Sequence, residues 1–264
     1  MLNFKFIIDD EKLKKGLNIL RGYCEFEETE NGIPVIAEKS PQGISVRKQN
    51  GVITINYPDV AAFFYAFSLC LQSGDKEEFY FVREKKIKSL GLMRDCARNS
   101  ALSVQGAKDL IANLALLGYD HFELYTEDLM KIDSLPYMGI NRPAYTGEII
   151  RELDAFAKSF GIELVPCIQT LSHLPQLFQH SEFFDINDIG PVLLVGEEKT
   201  YEFIETVVKW VAENFTSRKI NIGFDEAHDM GCGRYAEKFG FPQNKGQLFL
   251  SHLVRVTKIC KRYG

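Results

Sequence analysis

The sequence predicts a two-part α/β protein. A small α+β amino-terminal domain covers residues 1–86, and residues 87–264 form about four βα units, the first half of a (β/α)8 TIM barrel. Three observations lead there. Up to the charged stretch Arg83 to Lys88, short strand patterns are mixed with two helical ones. Beyond it, amphipathic helices alternate with short apolar strands, as in a parallel sheet covered by helices. Each of those strands runs into polar residues, at the end where a parallel barrel carries its chemistry.

Taken in order, Asn3 to Ile8 alternates like a strand, and Asp9 to Leu20 has an acidic start with Leu13, Leu17 and Leu20 at helical spacing. Ile33 to Ala37, Gly43 to Arg47 and Val52 to Asn56 read as strands, the last two joined by the hairpin signal Asn50-Gly51. Asp59 is placed to cap a helix through Ala61 to Leu71 that stops near Gly74, and Glu78 to Arg83 is a further strand. In the second part, Leu90 to Met93, Phe122 to Tyr125, Ile162 to Ile168 and Ile220 to Phe224 are the predicted strands. Helices follow Ser103 (to Gly118), Thr146 (to Gly161) and Thr200, and a last one fits Gln247 to Arg262. A complete barrel takes about 250 residues by itself. The chain has 264 in all and ends on a helix. A partial chain is therefore expected, with a smaller open α/β sheet, complete as it stands, as the alternative.

Composition narrows the function. The chain is 45% hydrophobic and 25% charged, ordinary for a globular protein, with a net charge of −5. No basic block exists to track phosphates, so no nucleic-acid partner is expected, and an anionic membrane surface would repel the chain. The amino terminus lacks the basic start and long apolar core of a signal peptide, and the longest near-apolar run, Val60 to Leu71, is too short to span a bilayer. Six scattered cysteines without a CxxC pair read as reduced thiols, which points to the cytoplasm and away from a cysteine-built zinc site.

The strand ends supply Arg94, Asp95, Arg98 and Asn99, then Tyr125, Thr126, Glu127 and Asp128, then Gln169, Thr170, Ser172 and His173, then Asp225, Glu226 and His228. The sharpest segment is Asn221-Ile222-Gly223-Phe224-Asp225-Glu226-Ala227-His228, a strand ending in two adjacent carboxylates. Adjacent acids repel, so one keeps its proton to higher pH than the other, the division of labour that glycoside cleavage uses. Asp225-Glu226-Ala227-His228 also spells the metal-and-water motif of some ATPases, but no GxxxxGK[ST] loop precedes it. Asp225, Glu226, His228 and His173 form a candidate metal set that lacks HExxH or paired-histidine spacing, so no metal is assigned. His121, His180 and His252 are placed as surface or boundary residues, and Trp210 as packing.

These residues resemble the family 20 glycoside hydrolases, the β-N-acetylhexosaminidases. Gly91-Leu92-Met93-Arg94-Asp95-Cys96-Ala97-Arg98 is similar to that family's Gly-x-x-x-Asp-x-x-Arg, Leu124-Tyr125-Thr126-Glu127-Asp128 more loosely to its Leu-Thr-Asp-Asp, and Ile222-Gly223-Phe224-Asp225-Glu226 to its Ile-Gly-Gly-Asp-Glu. The resemblance covers nearly the whole chain but only the amino-terminal portion of the family's barrel. It implies Glu226 as general acid and Asp225 as the group that holds and polarises the substrate's 2-acetamido group. That group itself attacks the anomeric carbon in a substrate-assisted retaining mechanism. It further implies a network of His173 with Glu127 or Asp128 behind Glu226, a glycan ending in GlcNAc or GalNAc as partner, and no cofactor. Leu90 stands where the family has a sugar-binding arginine, and Phe224 replaces the second glycine, which marks a divergent branch. Sugar contacts are then expected from Arg94, Arg98 or His228. The pocket-walling aromatics of the family's later strands are absent, so weak or no hydrolysis is expected of the chain alone. A half-barrel leaves an apolar sheet edge that is either exposed or masked by a homo-oligomer. The reading from another class is a non-catalytic half-barrel that binds carbohydrate or a protein partner.

Overall fold

The computed structural model describes residues 1–264. The elements run β1 (Leu2–Ile7), α1 (Glu11–Leu20), β2 (Phe26–Glu28), β3 (Ile33–Lys39), β4 (Ile44–Gln49), β5 (Val52–Tyr57), α2 (Val60–Ser73) and β6 (Phe79–Arg83). The six strands form one sheet in the order β2-β1-β3-β5-β4-β6, parallel from β2 to β5 and antiparallel over β4 and β6. Asn50 (φ 52°) and Gly51 (φ 75°) both take the left-handed backbone that a tight β4–β5 hairpin needs. Asp59 caps α2 by accepting from the Ala62 N–H at 2.9 Å. Helix α2 is apolar nearly all round because it is nearly all buried. Phe67 packs its ring 5.1 Å from Phe26 and 5.5 Å from Phe4. The three-residue strand β2 was not expected, being too short to carry a periodic signal.

The second series is β7 (Gly91–Asp95), α3 (Val104–Leu117), β8 (His121–Tyr125), α4 (Gly147–Lys158) and β9 (Glu163–Cys167). Ser103 caps α3, Gly118 ends it in the left-handed conformation, and Thr146 accepts from the Ile149 N–H at the start of α4. Strands β7, β8 and β9 pair side by side in that order. Their bonds advance along both partners, from Asp120 N–H to Leu90 O and then Cys96 N–H to Tyr125 O, so the strands are parallel.

After β9 come two short 3-10 turns, Leu177–Gln179 and Ser181–Ile186, and a small ribbon of β10 (Asn187–Ile189) with β11 (Val192–Leu193). Then follow α5 (Glu198–Asn214), α6 (Arg234–Phe239) and α7 (Lys245–Arg262). The turns, the ribbon and α6 were not expected. No helix is long and apolar enough to cross a membrane.

Three expectations need correction. Thr200 does not precede α5 but lies in its first turn, buried, with its hydroxyl donating to Leu194 O at 2.8 Å. The fourth strand, Ile220 to Phe224, is reduced to one parallel bridge between Cys167 and Asn221. The extended backbone ends there because Gly223 (φ 68°), Phe224 (φ 112°) and Glu226 (φ 52°) turn through positive φ. His252 is not at the surface: it is fully buried and satisfied on both ring nitrogens, by Thr170 O at 2.8 Å and the Tyr201 hydroxyl at 3.1 Å.

The chain divides into two compact units. One holds Met1–Leu92, Leu102–Phe122 and Leu153–Leu164; the other holds Met93–Ala101, Glu123–Glu152 and Val165–Gly264. The carboxyl-terminal tips of β7, β8 and β9 and the Asn221 to Glu226 segment all lie in the second unit.

Candidate active site

The site is built within the second unit at those strand tips. Its backbone is unusual before any side chain is considered. Asn99, Glu127, His173, Phe224 and Glu226 all have positive φ, between 48° and 112°, a conformation that costs a side-chain-bearing residue about 1–2 kcal/mol. Such residues gather where function needs a particular side-chain direction.

Glu127 is buried and accepts from the Tyr125 hydroxyl at 2.8 Å, while Arg98 Nη2 stands 3.2 Å from the same carboxylate. Burial raises the Glu127 pKa, and the Tyr125 hydrogen bond with the charges of Arg98 and His173 only partly opposes it. Arg98 also binds Asp95 at 2.8 Å, and its guanidinium lies 5.4 Å from the centre of the Tyr125 ring. Asp95 in turn accepts from the backbone N–H groups of Ala97 and Arg98. Burial would raise the Asp95 carboxyl, yet the Arg98 bond and those two N–H groups hold it below the usual range.

Gln169 joins this half of the site to the carboxylate pair. Its amide nitrogen donates to the Tyr125 hydroxyl and to Asp225 Oδ1, both at 3.0 Å. Burial pushes the Asp225 pKa up, but the Gln169 bond, a backbone hydrogen bond and the nearby His173 more than offset this, so the carboxyl sits below its ordinary value. His173 Nε2 lies 3.0 Å from Asp225 Oδ2 and 3.6 Å from Glu226 Oε2. Neither approach is aligned as a hydrogen bond, and the nitrogen is otherwise buried without a partner. The two acids therefore converge on one ring atom, and both remain mostly exposed, open to a ligand. Beside them is a cleft of about 300 Å³ lined by Arg98, Asn99, Glu127, His173 and Pro191. A second cleft of about 250 Å³ is lined by Met93, Tyr125, Gln169, Asn221 and Asp225.

Of the residues named from sequence, Asp225, Glu226, His173, Glu127 and Arg98 come together. Three do not join them. Asp128 is buried against Arg142, whose guanidinium also donates to Ala97 O. Arg94 lies between Met93 and Asp95 on β7, so strand alternation turns it to the face opposite the Met93-lined cleft. The His228 side chain is exposed, and only its carbonyl is engaged, by Lys245. Tyr125, Gln169 and Asp95, named among the polar strand ends without an assigned role, belong to the site, whereas Arg142, which lies in a loop, carries no signal in the sequence. No group of three or more His, Cys, Asp or Glu side chains is arranged to hold a metal ion.

Gly223 is what allows the Gln169–Asp225 contact. A Cβ on Gly223 would stand 2.1 Å from Gln169 Oε1 and 2.9 Å from Ile168 O, and the residue has positive φ. Gly223→Ala should cost about 1–2 kcal/mol from the backbone alone and lower the melting temperature by about 2–8 °C. Differential scanning calorimetry checks this, and an unchanged midpoint would show that the segment relaxes freely.

No family model matches the chain. It is 29% identical over 185 residues to a β-hexosaminidase of Vibrio furnissii, an alignment covering 54% of this chain and 30% of that protein. To hexosaminidase D of Homo sapiens it is 26% identical over 140 residues, covering 49% of this chain and 29% of the relative. Among solved structures, a Streptomyces plicatus β-hexosaminidase variant in complex with its product GlcNAc matches with a TM-score of 0.79 at 18% identity, over 100% of this chain and 60% of that one. The chain thus spans about 30% of the length of the curated relatives it matches. In sequence and in fold it resembles the family 20 β-hexosaminidases, over their amino-terminal domain and part of their barrel.

Proposed function

We propose that the chain is the amino-terminal portion of a β-N-acetylhexosaminidase, an exo-acting glycosidase that removes terminal GlcNAc or GalNAc from a glycan. The observation that carries this reading is the convergence of Asp225 and Glu226 on His173 Nε2, at 3.0 and 3.6 Å, at the tips of a parallel sheet. Glu226 is the acid that protonates the leaving oxygen. Asp225, held below the ordinary carboxylate range, is the anion that accepts the acetamide N–H and turns the acetamide oxygen toward the anomeric carbon. Retention of configuration then follows from two displacements, the first by the substrate's own acetamide and the second by water. Glu127 and His173 support the pair, and Arg98 borders the same cleft.

The same reading takes residues 1–86 as the amino-terminal domain and 87–264 as the barrel portion. It places the protein in the cytoplasm, in keeping with six unpaired cysteines.

The test is binding of a GlcNAc-derived thiazoline, a stable mimic of the cyclised intermediate, followed by titration calorimetry on the chain. Saturable binding that Asp225→Asn weakens at least tenfold is expected. No binding, or binding indifferent to Asp225, would overturn the acetamide mechanism.

A further inference from the structure

We infer that Arg98 is a positioning residue that fixes His173 as the Nε2–H tautomer, so that the ring's single N–H faces the Asp225–Glu226 pair. The use of that N–H in catalysis rests on the proposed function; the tautomer itself does not.

The argument is one of donors and acceptors. A guanidinium carries only N–H donors. Arg98 Nη2 lies 3.2 Å from His173 Nδ1. A bond at that distance requires Nδ1 to be the acceptor, so a neutral ring must carry its proton on Nε2. Nε2 is the atom 3.0 Å from Asp225 Oδ2 and 3.6 Å from Glu226 Oε2. A ring protonated on Nδ1 instead would set an N–H against an N–H and present a lone pair to two carboxylates.

Arg98 is itself held in place to do this. Nη1 binds Asp95 at 2.8 Å, and the Asp95 carboxylate also accepts from the backbone N–H of Arg98. Nη2 divides between Glu127 Oε1 and His173 Nδ1, both at 3.2 Å. The guanidinium carbon lies over the Tyr125 ring, 5.4 Å from its centre. The polar contacts leave from two different nitrogens, which a guanidinium fork supplies and the single nitrogen of lysine does not. Glu127 reaches His173 through Arg98, since the ring nitrogen that faces away from the acids is taken by the guanidinium.

The experiment reads the tautomer directly. The chain is produced with ring-15N histidine, and long-range 1H–15N correlations are recorded at pH 7.5, with His173 assigned by the signals lost in His173→Gln. The wild type should show one pyrrole-type nitrogen, Nε2, and one pyridine-type nitrogen, Nδ1. In Arg98→Met the two nitrogens should move toward a common averaged position as the Nδ1–H form becomes populated. Arg98→Lys, which keeps the charge and loses the fork, should do the same and serves where Arg98→Met fails to fold. His252, held by Thr170 O and Tyr201, is the internal control and should keep its pattern in every variant. A wild-type ring protonated on Nδ1, or an unchanged His173 pattern in a folded Arg98 variant, overturns the inference. Thiazoline binding is measured on the same samples. Its absence beside the expected tautomer shift removes the glycosidase reading alone; its presence beside an unchanged tautomer removes only the role of Arg98.

Discussion

On the proposed function, in a version of the protein extended to a whole barrel, Glu226→Gln should lower the rate of β-GlcNAc cleavage by about 10²–10⁴-fold, the range a positioned general acid supplies, while thiazoline affinity stays within about threefold of the parent. The split follows from the geometry. Asp225 is tied to Gln169 and leans toward His173, so it is set to orient a ligand group. Glu226 lies farther from His173, with an exposed carboxyl that makes no hydrogen bond, free to meet the leaving oxygen. An acid that acts only on the leaving group matters little once that group departs easily. Glu226→Gln should therefore hurt an alkyl glycoside more than an activated aryl one, and Asp225→Asn should hurt both alike. Rates for an aryl and an alkyl β-GlcNAc glycoside in the two variants check this. Equal losses on both substrates in Glu226→Gln would take the acid role from Glu226.

Some of this site is legible in the residues and some is not, and the division has a physical cause. Signals that act within a few residues are readable. Asp59, Ser103 and Thr146 cap the helices expected of them, Gly118 and Gly161 stop theirs with positive φ, and Asn50-Gly51 turns its hairpin. The pair Asp225-Glu226 could be picked out because two acids seldom follow an apolar strand without a purpose. What depends on distant partners is not readable. Arg98 reaches His173 across 75 positions, and His252 reaches Thr170 across 82. Asp128 looks equivalent to its neighbour Glu127 until Arg142 claims it. Arg94 illustrates another limit: on a strand of five residues, alternation says that Arg94 and Asp95 face opposite ways but not which way is inward. Phe224 is a third case. The family it resembles has glycine at this position, and φ 112° shows why glycine suits it. The phenylalanine is retained against that cost by packing, with its ring 5.2 Å from both Phe249 and His252.

His252 leads to the last expectation, a loss of stability in mild acid that belongs to one buried ring. Burial, the largest influence, and the positive charge of Arg255 lower its pKa, the Thr170 hydrogen bond opposes them, and the net result is a value lowered to about 4. The unfolded chain carries this histidine at its ordinary value, about 6.5. Above that pH neither state binds the proton and His252 contributes no pH dependence. As pH falls from about 6.5 to about 4, the unfolded chain takes up a proton that the folded chain refuses, so stability drops, by roughly 3 kcal/mol over the window. Below about 4 both states are protonated and the difference stops growing. The consequence reaches the site, because His252 holds the carbonyl of Thr170, next to Gln169, and Gln169 holds Asp225. Urea denaturation at closely spaced pH values, for wild type and His252→Gln, isolates the effect. The variant should be less stable at pH 7.5, having lost a fitted ring, yet lose roughly 3 kcal/mol less than wild type between pH 7 and 4. Parallel pH profiles in the two proteins would mean that the ring is protonated in the folded state and that the Thr170 contact survives its charge.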